Sequence, residues 1–246
     1  MKARMLAFGV HLGISALIAL LVVGLVFYVW YPAPLHDAVG VTQIFLVVLA
    51  VDVVLGPCLT FAVFKQGKKT LKFDLAVIAL LQFSALGYGL YTVAEGRPAW
   101  LVFNSDRFDL VRAVDLDPRY PEWVADDYRS PAWLGPRWVA AFAPENTRDS
   151  ARLLEEVMVS GLDVPQRPYL YSALENAHDI IRQKALPLSK LDNFNTAGEV
   201  KAALQAWPQA NAWLPMMSSP RPMVVLLERS TTDIRILAVV DLRPWA

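Results

Sequence analysis

The sequence predicts a membrane protein of three transmembrane α-helices followed by a soluble, exported α+β domain with a small antiparallel sheet. Three observations carry that prediction. Residues 1–96 hold 6 Lys/Arg and 4 Asp/Glu, whereas residues 97–246 hold 17 and 19. The second part thus matches the roughly 25% charge of ordinary soluble domains, and the first falls far below it. Three apolar runs, all in the first part, each reach the length of about 20 residues needed to cross a bilayer. The basic residues of that part also gather on one side of the runs. Together these exclude disorder, a disulfide scaffold and a purely cytosolic enzyme. Zero net charge and an isoelectric point near 6.8 lack the basic footprint of a nucleic-acid binder.

The runs are Leu6–Trp30, with His11 but no formal charge, Val41–Phe64, interrupted only by Asp52, and Leu75–Ala94, whose one amide is Gln82. The first run exceeds the 7–15 residues of a signal-peptide core and has no small-x-small site after it, so it reads as an uncleaved anchor. Lys2, Arg4 and the four lysines between residues 65 and 74 face a first connection, Tyr31–Gly40, without any Lys or Arg. By the positive-inside rule the N-terminus and the lysine loop are cytoplasmic and residues 97–246 lie across the membrane. Trp30, Tyr31 and Tyr91 fall where aromatic belts occur. The domains expected are therefore 1–96, with spans of about 6–30, 41–64 and 75–94, and the exported 97–246. The only cysteine, Cys58, lies in the second span, so the exported domain relies on its core and not on disulfides.

In the exported part, Ala99–Phe103 and Phe108–Leu116 read as strands around an Asn104-Ser105-Asp106 turn, and Met223–Glu228 with Ile234–Leu242 as a second such pair. Between them come three helix candidates. Asp149–Ser160 has Asn146 or Thr147 as cap and Gly161 as stop. Tyr169–Ala185 spaces Leu170, Leu174, Ala177 and Ile181 helically. Ala197–Trp207 opens with Thr196 and Glu199 in capping-box spacing and ends before Pro208. Tyr120–Pro144, rich in proline, reads as an irregular surface segment. Its aromatic residues Trp123, Tyr128, Trp133 and Trp138 are of the types enriched at binding hot spots, and they equally suit the domain's own core.

Common catalytic machinery is missing from the sequence. The histidines His11, His36 and His178 form no metal-binding spacing, Cys58 has no partner thiol, and no nucleotide or nucleophile motif occurs. No catalytic residue, metal or cofactor is expected. An enzyme reading, a membrane-bound transferase, would have to use His36, Asp37, Asp106 and Arg107 near the outer surface. A sensor reading lacks a cytoplasmic output domain.

Asp52 is the sharpest residue. A carboxylate at mid-span costs about 2.5–3.5 kcal/mol on insertion scales and usually faces a bundle or a partner. Gly56 shares its helical face, and Pro57 removes the amide that would bond Val53. Two readings stand: an interhelical clamp with Gln82, or a docking point for another protein's helix.

Around these residues the sequence resembles the type IV pilin accessory proteins of the TfpX/TfpZ kind. The resemblance is carried by Tyr31-Pro-Ala-Pro-Leu35, VDVVLGPCLT (Val51–Thr60), KKTLKFDL (Lys68–Leu75) and GRPAWLVFNSDRFDLVRAVDL (Gly96–Leu116). It implies a bacterial inner-membrane protein with a periplasmic C-terminal domain. The implied partner is the type IV major pilin, and the implied role is non-enzymatic help in pilin handling and pilus assembly. The topology has a direct test. Alkaline phosphatase fused at the C-terminus is expected to be active and one fused at Lys68 inactive; the opposite pair of results would reverse the orientation.

Overall fold

The computed structural model describes residues 1–245, with Ile44 described by its backbone alone. The chain divides into two compact units. The first comprises Met1–Trp30 and Val41–Gly96, and the second Tyr31–Gly40 and Arg97–Ala246.

The first unit consists of three long apolar helices: α1 (Lys2–Gly24, continued by a π-helical turn to Trp30), α3 (Val41–Val63) and α4 (Leu71–Glu95). Each is long and apolar enough to cross a membrane. Their outward faces are as apolar as their contacts, with Leu6, Leu20, Leu21, Leu80 and Phe83 among the exposed side chains. Arg4 ties the beginning of α1 to the end of α3: its guanidinium donates to the carbonyls of Phe64 and Ala62 and lies over the Phe61 ring. These are carbonyls that the helix end leaves without an internal donor. Pro57 sits inside α3.

The second unit is an α+β domain built on a mixed eight-stranded sheet. Its strands are β1 (Pro98–Asn104), β2 (Arg107–Arg112), β3 (Arg137–Ala141), β4 (Tyr171–Ser172), β5 (Leu186–Pro187), β6 (Ala212–Met217), β7 (Met223–Arg229) and β8 (Ile234–Val240). They run in the order β4-β3-β1-β2-β6-β7-β8, with β5 beside β6. Short helices α2 (Leu35–Ala38), α5 (Thr147–Ser160), α6 (His178–Lys184) and α7 (Ala197–Leu204) complete it. Alternation along β1 divides the core. Leu101 and Phe103 face a cluster with α2, α6 and the inner residues of β6 and β7, while Trp100 and Val102 face Leu153 of α5 and Tyr171. A third cluster packs Trp213, Val224 and Leu226 under Val200 of α7.

Both expected hairpins form, and the turn residue Ser105 takes the left-handed backbone that a tight connection needs. The helix from Thr147 has Asn146 as its cap and Gly161 at positive φ as its stop, and Thr196 with Glu199 completes the capping box of α7. Three expectations are corrected. The sheet is not small and antiparallel: β1–β3 and β2–β6 pair in parallel and join the hairpins into one surface. Tyr169–Ala185 is helical only from 178 to 184 as α6, after a 3-10 turn at 174–177. Tyr171 instead pairs with Ala141 and buries its ring against Trp100 and Tyr128, and this tertiary burial overrides the helical spacing. The stretch Tyr120–Pro144 contains β3, at the centre of one half of the sheet.

The seam between the two halves is short. Only Phe108↔Met216 and Asp109↔Met217 join β2 to β6. Asp109 is buried there, with Arg107 Nε 3.3 Å from its carboxylate. Burial, assisted by the charges of Asp163 and Asp106 against that of Arg107, pushes its pKa up to about 6. A carboxylate normally titrates near 3.8. Between those two values the folded chain keeps a proton that the unfolded chain has released, so stability falls as pH rises through the window. The charged form costs about 1–3 kcal/mol at neutral pH. Asp109→Asn is therefore expected to raise the melting temperature of the detergent-solubilised chain at pH 7.5 by several degrees and to give no gain at pH 3, below both values. A variant that melts lower at both pH values would show that the carboxylate stabilises the seam.

Candidate functional site

Where α1, α3 and α4 meet, an apolar bundle holds a chain of polar groups. His11 of α1 places Nδ1 2.6 Å from Thr60 Oγ1 of α3 and Nε2 2.8 Å from Gln82 Oε1 of α4. Gln82 Nε2 then donates to the backbone carbonyl of Asp52, 3.1 Å away. One neutral tautomer serves all of these bonds: the Thr60 hydroxyl donates to Nδ1, and Nε2–H donates to Gln82. Three helices are thus joined by three hydrogen bonds, each worth about 0.6–2 kcal/mol in a membrane setting.

Gly56 makes the last bond possible. A Cβ at this position would lie 2.0 Å from Gln82 Nε2, so only glycine lets the amide reach the α3 backbone. Pro57, next in sequence, leaves the Val53 carbonyl without its intrahelical donor. Of the sequence-predicted set, Asp52, Gly56 and Gln82 are brought together, with Pro57 next in sequence, but Gln82 holds Asp52 by its backbone. Among the described residues no hydrogen bond or ion pair engages the Asp52 carboxylate. It lines a groove of about 220 Å³ whose walls include Ile14, Ile18, Leu49, Phe83 and Leu86, with His11 and Gln82 at its polar end. Sequence reasoning left His11 and Thr60 out of the set. His11 had a signal, as the one histidine within the first run; Thr60, near the end of its run, had none.

In the second unit the four aromatic residues separate. Trp138 lies in β3 and packs edge-on against Phe108. Tyr128 is half-buried against Trp100 and Tyr171. These two seal the core. Trp123 and Trp133 are exposed. Trp123 stacks on Tyr120 with centroids 4.4 Å apart, and Arg152 of α5 lies over both rings. Trp133 packs on Arg97.

A buried ionic cluster sets Trp123 in place. Arg167, wholly buried, donates through Nη1 to Glu156 and to the Tyr169 hydroxyl, and through Nη2 to the Leu162 carbonyl. Asp117 takes Arg119 Nη2 at 2.6 Å. Burial alone would raise both carboxyls. Hydrogen bonds from Arg119 hold Asp117 below the usual range, and those from Arg152, Arg167 and Tyr120 do the same for Glu156. The Tyr120 hydroxyl donates to Glu156, so the residue that stacks on Trp123 is anchored to the same acid as Arg167.

Comparison with known proteins adds the following. The family described as "Fimbrial assembly protein FimB" matches residues 1–40. The fimbrial assembly protein of Dichelobacter nodosus serogroup E1 is 32% identical over 204 residues, covering 80% of this chain and 78% of its own length. That of serogroup I is 31% identical over the same extent. That of serogroups C1 and C2 is 35% identical over 111 residues, 44% of this chain and 84% of its own. No solved structure matches the chain.

The polar chain between helices yields a prediction. Gly56→Ala is expected to expel the Gln82 amide and lower the melting temperature of the chain in detergent about as much as Gln82→Leu, with the double variant no worse than either. Asp52→Asn should leave it unchanged, because the bond to the backbone survives. Additive losses for Gly56→Ala and Gln82→Leu would show that the two residues act separately.

Proposed function

Because the chain belongs to the fimbrial assembly protein family, we propose that it is a non-enzymatic inner-membrane accessory protein, or chaperone, for type IV pilin. In this reading α1, α3 and α4 span the bilayer with the N-terminus and the lysine loop in the cytoplasm, and the α+β domain stands in the periplasm. The placement of Tyr31–Gly40 supports it. Leu35 and Ala38, from the connection between the first two spans, are core residues of the same unit as 97–246, so both segments share one side of the membrane.

The observation that carries the proposal is the groove at Asp52. Its walls are apolar and match a pilin's apolar N-terminal helix, while the unengaged carboxylate offers one polar contact at depth. Asp52 lies 12 residues from Phe64, roughly 18 Å at 1.5 Å per residue, so it meets the middle of an incoming helix and not its terminal amine. The exposed Trp123, backed by Tyr120 and Arg152, is the matching contact for the pilin's periplasmic head. Two modest contacts on one partner give avidity without a single tight interface.

Deleting the protein is expected to reduce surface pili while pilin is still made. A photocrosslinker at Leu49 or Leu86 should capture pilin, and Asp52→Leu should weaken that capture at normal protein level. Normal piliation with a changed pilin mass would move the assignment to a modifying enzyme.

A further inference from the structure

We propose that the loop carrying Trp133 and Leu134 is an interfacial anchor, seated in the headgroup–acyl boundary of the leaflet from which the second unit emerges. This rests on the reading of α1, α3 and α4 as spans. Arg97 fixes the place of the loop. The chain leaves α4 at Glu95, and Arg97 follows after a single glycine. Arg97 is buried, and its guanidinium carbon lies 4.4 Å from the centroid of the Trp133 ring. The ring therefore packs on the second residue after α4. Tyr31, the first residue after Trp30, lies close enough to Arg97 and Arg112 for their charges to act on its hydroxyl.

The side chains turned outward here are apolar. Trp133 is 62% exposed and Leu134 88%, and Val114 is 57% exposed, next to the Ala113 whose amide donates to the Arg97 carbonyl at 3.0 Å. Pro131 and Pro136 stiffen the loop, so little order is lost when it docks. Tryptophan is the residue that favours the bilayer interface, where its ring meets lipid and its N–H stays wet. The cation at this point lies against the indole and is buried, so the surface addresses the bilayer through apolar contact and needs no anionic lipid. Exposed apolar side chains on α5, such as Met158 at 80%, have no such link to a span and serve as the contrast.

The test uses the full chain in phosphatidylcholine liposomes containing lipids with a doxyl quencher below the headgroup. Cys58→Ser combined with Leu134→Cys or with Met158→Cys gives single sites for an environment-sensitive fluorophore. The label at 134 should lose most of its fluorescence to the doxyl lipid and little to aqueous iodide, with the reverse at 158. Adding Trp133→Ser to the 134 variant should restore much of the signal. A label at 134 that iodide quenches, or that neither reagent reaches, overturns the anchor; the second result would assign the loop to a protein contact. Native Cys58, labelled in the unaltered chain with quenchers placed along the acyl chain, reports the spans themselves. Its escape from quenching would remove the premise, whereas its quenching beside an iodide-exposed 134 would remove the anchor alone.

Discussion

Burial of Leu35 and Ala38 in the core formed by Leu101, Phe103, Ile181 and Met223 is the constraint on which the rest of the chain depends. A connection of ten residues between two long apolar helices would ordinarily be a loose surface turn. Here it contributes to the sheet's packing, and Arg221 N–H donates to the Ala38 carbonyl to hold it there. Gly40, at positive φ, packs so closely on Pro220 that a Cβ would meet its ring at 3.1 Å. The domain therefore assembles from segments separated by α3 and α4. The core is complete only when residues 31–40 and 97–246, which lie on either side of those helices in the sequence, have come together.

How much of this was legible in the sequence follows from what each signal measures. Local chemistry was readable: the Thr196–Glu199 box, the Asn146 cap and the Ser105 turn all form as their residues dictate. Pairing between distant segments was not. β6 carries Pro215, which argues against a central strand because proline offers no ladder donor. Yet Pro215 falls opposite the gap between β5, which pairs at Ala212 and Trp213, and β2, which pairs at Met216 and Met217. The proline is tolerated because that edge has no partner at its position, a fact that exists only once three strands are assembled. Tyr171 fails as a helix residue for a similar reason, since its value lies in contacts with Trp100 and Tyr128 far along the chain.

The site among the three apolar helices was half legible. Asp52, Gly56 and Gln82 were identified because polar groups and glycine stand out in apolar runs. Counting at 1.5 Å per residue from Lys2, Val63 and Leu71 puts His11, Asp52 and Gln82 at nearly one level, roughly 14–17 Å along each helix. That coincidence of depth emerges only with the helix bounds of the structure, and the signal His11 carried in the sequence was being the one histidine of the first run. What no count could show is which atom of Asp52 takes the bond. The steric gap at Gly56 gives Gln82 the backbone carbonyl and leaves the carboxylate to the groove.

That division of roles has an energetic consequence. An amide bond to a backbone carbonyl contributes about 0.6–2 kcal/mol to holding helices together, and it would do so with alanine at position 52. The carboxylate, by contrast, costs about 2.5–3.5 kcal/mol wherever such a helix spans a bilayer, and among the described residues no hydrogen bond or ion pair offsets that cost. In the docking proposal it acts as a discriminator between helices and not as a clamp. A helix that brings a hydrogen-bond donor to the groove recovers much of the cost on docking, whereas a wholly apolar helix leaves it standing. The resulting difference of one or two kcal/mol is enough to separate partners about tenfold in affinity, which is what the docking proposal asks of Asp52.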